Sequence, residues 1–429
     1  MIEEVKKRID QIRHGIVPEG YQKTILGIAP LSWTTGRINE ICTLSSGSTP
    51  RRDNADNFVG EILWVTSGEL KKRIITDTLE KISEAAASTS NMTMYEPGAV
   101  VIAIYGLEAA GIRGTASIIG KRCTISQACM AFTEFSKVDN IFFYYWYLNN
   151  GQVIGLRYAQ GTKQQNLSTD IVGAFPICFP NLKEQRKIAK ILTTQDRVIE
   201  LKEKLLVEKQ QQKKYLMQQL LTGKKRLPGF DGEWQNCRLH QIVKRIKRKN
   251  TVGNENVLTI SAQYGLINQS EFFNKEIASE DKSNYYLLNR NDFAYNKSYS
   301  SGYPFGAIKR LTRYDMGIVS PLYICFEIVG ENVSLEYMEQ YFEAGLMNRE
   351  IQAFAQEGAR NHGLLNIAVD DFFNSKLVLP SIEEQQAIVA ILTAADREIE
   401  LLRQDLEQEK QKKKALMQLL LTGIVRVNA

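Results

Sequence analysis

The sequence predicts an α+β fold: two globular domains separated by an antiparallel two-helix coiled coil, with pseudo-twofold, circularly ordered repeats. Three observations carry that expectation. One segment is written twice, since Pro180 to Gly223 aligns without a gap on Pro380 to Gly423 at an offset of 200 residues (380 − 180), with 23 of 44 positions identical. Each copy follows a long β-rich stretch, and each β-rich stretch opens on a related segment, Trp33 to Ile41 (WTTGRINEI) and Trp234 to Ile242 (WQNCRLHQI). A repeat of this length marks one structural unit used twice.

The elements follow in order. Residues 1–24 form an N-terminal helical fragment, in which Ile9, Gln11, Ile12 and Gly15 can be laid over Met217, Gln219, Leu220 and Gly223. The chain thus starts by imitating the tail of its own repeat, which makes the order circular: helix end, domain, helix, domain, helix. Residues 25–180 form the first domain, with the strand-like run VVIAIYG and the aromatic helix FFYYWYLNN. Residues 181–228 are the first long helix. Residues 229–380 are the second domain, with the strand-like VSPLYICFEI and the helix YMEQYFEAGLMNREIQAF, and residues 381–429 hold the second long helix.

In the second copy Ile388, Leu392, Ala395, Ile399, Leu402, Leu406, Glu409, Lys413, Leu416 and Leu420 recur at alternating steps of four and three, the seam of a coiled coil. The first copy reads Ile188, Leu192, Gln195, Ile199, Lys202, Leu206, Lys209, Lys213, Leu216 and Leu220, with four polar positions. Polar seam residues weaken pairing but fix register. Pro180 and Pro380 precede the helices, and Gly223 and Gly423 stand where a helix stop is expected. About forty residues at 1.5 Å each make a rod of about 60 Å, and such a helix needs a partner for its apolar stripe.

Composition excludes several classes. With 429 residues, 44% hydrophobic and 24% charged, the chain is a globular protein of two or three domains. A net charge of +6 permits a polyanionic partner without requiring one. The six cysteines are scattered with no CxxC pair, which suits free thiols and no zinc site. Neither a secretory signal nor an apolar run of membrane-spanning length is present, so a cytoplasmic location is expected.

No phosphate-binding GxxxxGK[ST] loop occurs, and Gly106, Gly111 and Gly114 do not fit GxGxxG. No proline follows Asn or Asp, which excludes the Asn/Asp-Pro-Pro-aromatic turn of adenine amino-methyltransferases. ExK tripeptides such as Glu69-Leu70-Lys71 are expected by chance in a Lys/Glu-rich chain. His14, His240 and His362 lie far apart, so neither a catalytic triad nor a metal centre is supported. No catalytic, cofactor-binding or metal-binding residues are assigned to this chain.

Both domains carry polar, basic loops with glycine or aromatic residues, which suit phosphate and base-edge contacts. In the first domain the DNA-contact candidates are Ser48, Thr49, Arg51, Arg52, Thr66, Ser67, Tyr105, Lys163 and Gln164. In the second they are Lys247, Arg248, Gln263, Tyr264, Asn296, Lys297, Tyr299, Arg360, Asn361 and His362. Arginine pairs bidentately with guanine and Asn or Gln with adenine, so such sets can specify bases. A shared frame with changed loop content is the pattern of two readers with different targets.

The residues resemble the specificity (S) subunit of type I restriction-modification systems, the HsdS family. GSTPRRDNADNFVGEILWVTSGEL, VVIAIYG, ISQACMAF and GTKQQNLS look like one type of target recognition domain, and YNKSYSSGYPFGAIKRL with GIVSPLY like another. PNLKEQRKIAKILTTQDRVIELKEKL and PSIEEQQAIVAILTAADREIELLRQDL are similar to the family's two spacer helices. The resemblance implies two target recognition domains, each reading half of a split double-stranded DNA target, with the helices as a ruler. A rod of about 60 Å spans about 17 base pairs at roughly 34–36 Å per ten-base-pair turn. It also implies partners: two methyltransferase (modification) subunits using S-adenosylmethionine, and restriction/translocase subunits using ATP and Mg. This chain is then a non-catalytic subunit of a complex that methylates adenine and cleaves DNA. The alternative reading is a coiled-coil scaffold that gathers proteins without reading DNA.

Overall fold

The computed structural model describes residues 2–160, 165–261, 264–273, 282–299, 302–357 and 365–427. The chain divides into two units, Met1–Glu203 with Asp405–Ala429, and Lys204–Gln404. Each unit therefore owns half of both long helices, Leu182–Leu220 and Ile382–Leu421. The expected helical spans of 181–228 and 381–429 are too long. Both helices stop where Gly223 (φ 69°) and Gly423 (φ 71°) adopt the left-handed conformation that L side chains resist.

The first unit is built on a five-stranded sheet, in the order Thr43–Ser46, Cys129–Thr133, Val100–Ala103, Ala116–Ile119, Ile74–Ile75. All neighbours are antiparallel except the last pair, which is parallel. A smaller sheet sets Ile62–Val65 between Cys123–Ile125 and Lys81–Ile82. The central strands Val100–Ala103 and Ala116–Ile119 are buried throughout, and their β-branched and small side chains suit a covered sheet. The aromatic helix Asn140–Tyr158 packs on this core. Asp139 caps it by accepting from the Ile141 and Phe142 N–H groups at 3.0 and 3.1 Å, and Phe143 lies 4.8 Å from Phe132 between ring centroids.

The second unit has a four-stranded antiparallel sheet, Val243–Arg245, Ile324–Ile328, Phe293–Asn296 and Ala307–Arg310. Phe293 and Phe326 stack at 5.4 Å across it, and Tyr295 stacks on Phe372 at 4.9 Å. The segment expected as one aromatic helix is two, Leu335–Glu343 and Asn348–Phe354. Gly345, at φ 70°, turns the chain between them. The expected strand in VSPLYICFEI is likewise divided, with Met316–Val319 and Ile324–Ile328 on different sheets.

The repeated sequence makes the same joint twice. Thr34–Arg37 pairs with Pro176–Phe179 in the first unit, and Gln235–Arg238 with Lys376–Leu379 in the second. Next to each lies a fully buried glutamine. Gln185 accepts from the Asp139 N–H (2.7 Å) and donates to the carbonyls of Lys137 and Pro180 (3.2 and 2.7 Å). Gln385 accepts from Ser334 (2.9 Å) and donates to Asn332 and Pro380 (3.1 and 3.0 Å). Buried beside them, Glu184 takes two hydrogen bonds of 2.7 Å from Arg426, and Glu384 takes two from Arg226 at 2.7 and 2.8 Å.

These contacts revise the reading of the chain's start. Gly423 packs on Trp33 as Gly223 packs on Trp234, so in the first unit the tail of the second long helix takes the place given in sequence to residues 1–24. The helix Ile2–Arg13 lies beside that tail instead: Arg8 donates to the Ile424 carbonyl and Tyr21 to that of Gly423, both at 2.8 Å. The boundary at residue 24 also cuts a hairpin, Tyr21–Thr24 with Gly27–Pro30.

Within each unit the long helices run antiparallel, with the expected seam positions inward. Ile188, Leu192, Gln195 and Leu420 are buried in the first unit, and Leu220, Ile388, Leu392 and Ile399 in the second. The polar seam residues are partnered across the pair. Gln195 donates to the Glu409 carboxylate at 2.6 Å, Lys202 to Asp405 (2.6 Å) and Glu409 (3.2 Å), and Lys213 to Asp396 (2.6 Å). The bonds from Gln195, Lys202 and Lys412 pull the Glu409 carboxyl down from 4.5 to about 2. All six cysteines are free, and burial pushes the Cys129 thiol up to about 12. Among the described residues no helix is long and apolar enough to cross a membrane.

Candidate nucleic-acid interface

In the first unit the candidate loops meet along one rim of the two sheets. The Gly47 N–H donates to the Cys129 carbonyl (3.2 Å) and that of Ser48 to Ile125 (3.1 Å), so Ser48 and Thr49 run beside the end of Cys123–Ile125. A side chain at 47 would place Cβ 2.2 Å from the Ile125 oxygen, which explains the glycine between two serines. Ser126 donates to Val65 (2.8 Å), bringing in Thr66 and Ser67, while Ile104 donates to Ala128 (2.9 Å), bringing in Tyr105.

One carboxylate holds the 66–69 loop. Glu69 accepts from the Thr66 N–H (2.6 Å), the Thr66 hydroxyl (3.2 Å) and the Leu79 N–H (2.7 Å). Its oxygens serve the backbone, and among the described residues no group of acidic, His and Cys side chains is placed to hold a metal. Glu69 is thus the carboxylate that holds this loop.

The two neighbouring arginines differ. Arg51 is exposed. Arg52 donates to both oxygens of Glu80 (2.5 and 2.9 Å) and lies 4.4 Å and 4.9 Å above the rings of Phe58 and Trp64. The hydrogen bonds from Arg52 lower the Glu80 carboxyl. Arg52 is committed to its own domain, whereas Arg51 is available.

Lys163 and Gln164 fall outside the described residues. Their flanks are fixed against the rim: Gln160 and Asn166 exchange two 2.9 Å bonds, Leu167 donates to Ile104 (2.9 Å) and Leu107 to Gln165 (3.2 Å). Glu108 accepts from the Gln165 N–H (2.9 Å), and Arg113 donates to the Gln165 side chain. Sequence reasoning missed this clasp because Glu108 and Arg113 lie far from Gln165 along the chain, and no local pattern joins them.

In the second unit Lys247 is exposed, while Arg248 is engaged. Its guanidinium donates to the carboxylate of Asp292, itself buried, and lies 3.9 Å from Glu327. Burial raises the Asp292 carboxyl, opposed by hydrogen bonds from the Asn289 N–H and Arg248. The Asn296 side chain accepts from the Ser298 N–H (3.1 Å), and the Lys297 carbonyl accepts from Leu365 (3.1 Å). Asn296 and Lys297 thereby sit beside the segment that leaves residues 358–364. Tyr264 and Tyr299 are 54% and 64% exposed, rings free to stack on a base or sugar. Gln263, Arg360, Asn361 and His362 fall outside the described residues.

The rims therefore hold two kinds of residue. Arg51, Tyr105, Lys247, Tyr264 and Tyr299 offer cations and aromatic faces to solvent. Arg52, Thr66 and Arg248 are held within their own domain.

Comparison with known proteins places this frame. Residues 30–209 match the model of the type I restriction modification DNA specificity domain. The type I restriction enzyme MjaVIII specificity subunit of Methanocaldococcus jannaschii is 25% identical over 346 residues, 72% of this chain and 76% of its own. The MjaIX specificity subunit of the same organism is 23% identical over 188 residues, 43% of this chain and 42% of its own. Among solved structures, the type I restriction-modification S subunit from M. genitalium matches with a TM-score of 0.51 at 12% identity, over 90% of this chain and 96% of that one. A chain from a study of type I R-M complex assembly and conformational transition matches with a TM-score of 0.58 at 16% identity, over 92% and 99%. At these identities the structural matches establish the fold.

Proposed function

We propose that each unit of this chain, whose residues 30–209 match the type I restriction modification DNA specificity domain, reads one half of a bipartite duplex DNA target. The observation that carries this reading is the doubled joint with unlike rims. Glu184 with Arg426 and Glu384 with Arg226 are one arrangement used twice, while the loops mounted on it differ in length, charge and aromatic content. A common frame bearing two different polar rims suits two readings of one DNA molecule.

On this reading Arg51 and Lys247 contact phosphates, and Tyr105, Tyr264 and Tyr299 meet bases or sugars. Arg52 and Arg248 position their loops rather than touch DNA. The long helices set the number of unread base pairs between the half-sites and dock two methyltransferase subunits. Chemistry lies with the partners: S-adenosylmethionine serves the modification subunits, which take a base out of the stack to reach it, and ATP and Mg serve the restriction subunits. Selection from random duplexes tests the proposal. A consensus of two short blocks around a fixed gap supports it, whereas a chain that enriches nothing is the non-reading scaffold.

A further inference from the structure

The two long helices are copies, so each presents a seam able to meet a like helix from a second molecule as well as its unlike partner in the same chain. The charges along the seam treat these alternatives differently. Lys413 with Asp196 in the first unit and Lys213 with Asp396 in the second, each at 2.6 Å, are one pair with the helices exchanged. Like-with-like pairing would preserve it, as Lys213 with Asp196 or Lys413 with Asp396. That pair supports antiparallel pairing and is blind to the partner.

The pairs nearer the middle are not blind. In the first unit Lys202 lies 3.2 Å from Glu409, and Glu203 lies 2.8 Å from Lys410. In the second, Lys209 lies 2.7 Å from Glu398. Lys209 and Glu409 occupy the same place in the repeat, 200 residues apart, with opposite charge. Setting the first helix against a copy of itself in the same register brings Lys202 onto Lys209. Setting the second against itself brings Glu409 onto Glu398 and Lys410 onto Arg403. Either like pairing also denies Gln195 the carboxylate it meets here at 2.6 Å.

We propose that Lys202, Lys209, Glu398 and Glu409 form a charge code that selects the unlike, within-chain pairing of the two long helices and rejects like-with-like association between chains. Charges flanking a helical seam set partner choice, and repulsion against the wrong partner is how specificity is gained over affinity. Lys202 and Glu409 are only 24% and 17% exposed, so their interaction is partly shielded from salt. The code works whatever the domains bind.

The test uses the full-length chain, weighed by light scattering after size exclusion at about 0.1 M salt, with helical circular dichroism on the same samples. The wild type elutes with the mass of one chain. Lys202→Glu turns the within-chain contacts with Asp405 and Glu409 repulsive and lets the new carboxylate face Lys209 of a second copy, so the mass shifts towards two chains. Glu409→Lys does the same through the second helix, where the new ammonium faces Glu398 of the other copy. Exchanging all four charges (Lys202→Glu, Lys209→Glu, Glu398→Lys and Glu409→Lys) restores the within-chain attractions together with both like-pairing clashes and returns the mass to one chain. The proposal is overturned if both single variants keep the one-chain mass and only melt lower, or if the wild type already has the mass of two chains.

Discussion

The joints at the roots of the two long helices and the rims of the two sheets obey different rules. Each joint is assembled from residues that recur at an offset of 200 or 201, down to which carboxylate receives which arginine. Beyond a like pairing of Gln160 with Asn166 and Gln356 with Asn366, the rims differ: the first hangs on Glu69, Glu80 and a clasp around Gln165, the second on Asp292 and a hairpin bearing Asn296 and Lys297. Where the sequence repeats, geometry is conserved between the units, and where it does not, the polar surface is free to differ. The joint is a mount and the rim is what it carries.

The comparison can be broken first at the mount. Glu384→Ala strands Arg226 and the Trp234 indole, which now donates to Glu384 at 3.1 Å, and removing one partner of a buried pair is costly. A fall in the unfolding midpoint of about 5–10 °C is expected by calorimetry. Glu184→Ala should cost less, because the Trp33 indole N–H has no acceptor to lose. Equal effects would show that the joints are not used as the contacts suggest.

At the rim, Glu69→Ala removes three backbone and hydroxyl contacts from the 66–69 loop. Binding to the half-site read by the first unit should weaken about tenfold or more, a loss of ~1.4 kcal/mol per decade, with the other half-site unaffected in a mismatch-scanning titration. Arg51→Ala and Arg52→Ala should then separate. The first lowers DNA affinity without sequence preference and reduces the salt slope by about one. The second lowers the melting temperature, because its guanidinium is spent on Glu80 and two rings.

The smallest effect expected is one of pH. The Glu409 carboxyl is depressed in the folded chain, so its contribution is complete above its ordinary value of 4.5 and disappears as pH falls towards about 2. Glu409→Gln should flatten the acid limb of the stability profile in that window, melting below the wild type at neutral pH and converging on it as pH falls towards about 2. An acid limb identical in both chains would place the sensitivity elsewhere.

How much of this was legible in the sequence follows the same division. Helix period, capping glycines and the repeat exposed the mount, because those signals are local or recur at a fixed offset. Even the polar seam sites were visible, although only the structure pairs Gln195 and Lys202 with Glu409. The rims were legible by composition alone. Arg51 and Arg52 are indistinguishable in sequence, and only the approach of Glu80, Phe58 and Trp64 separates a free guanidinium from a committed one. Arg248 and Asp292 repeat the lesson, since their pairing depends on a turn 44 residues away.

One measurement reaches the central claim. The chain, and a variant whose residues 25–180 are exchanged for the corresponding domain of a type I restriction enzyme specificity subunit, are each used to select from random duplex DNA. Two readers on like mounts predict a two-block consensus in which the exchange rewrites one block and spares the other and the gap. A single contiguous or absent consensus, or a change in both blocks, would contradict it.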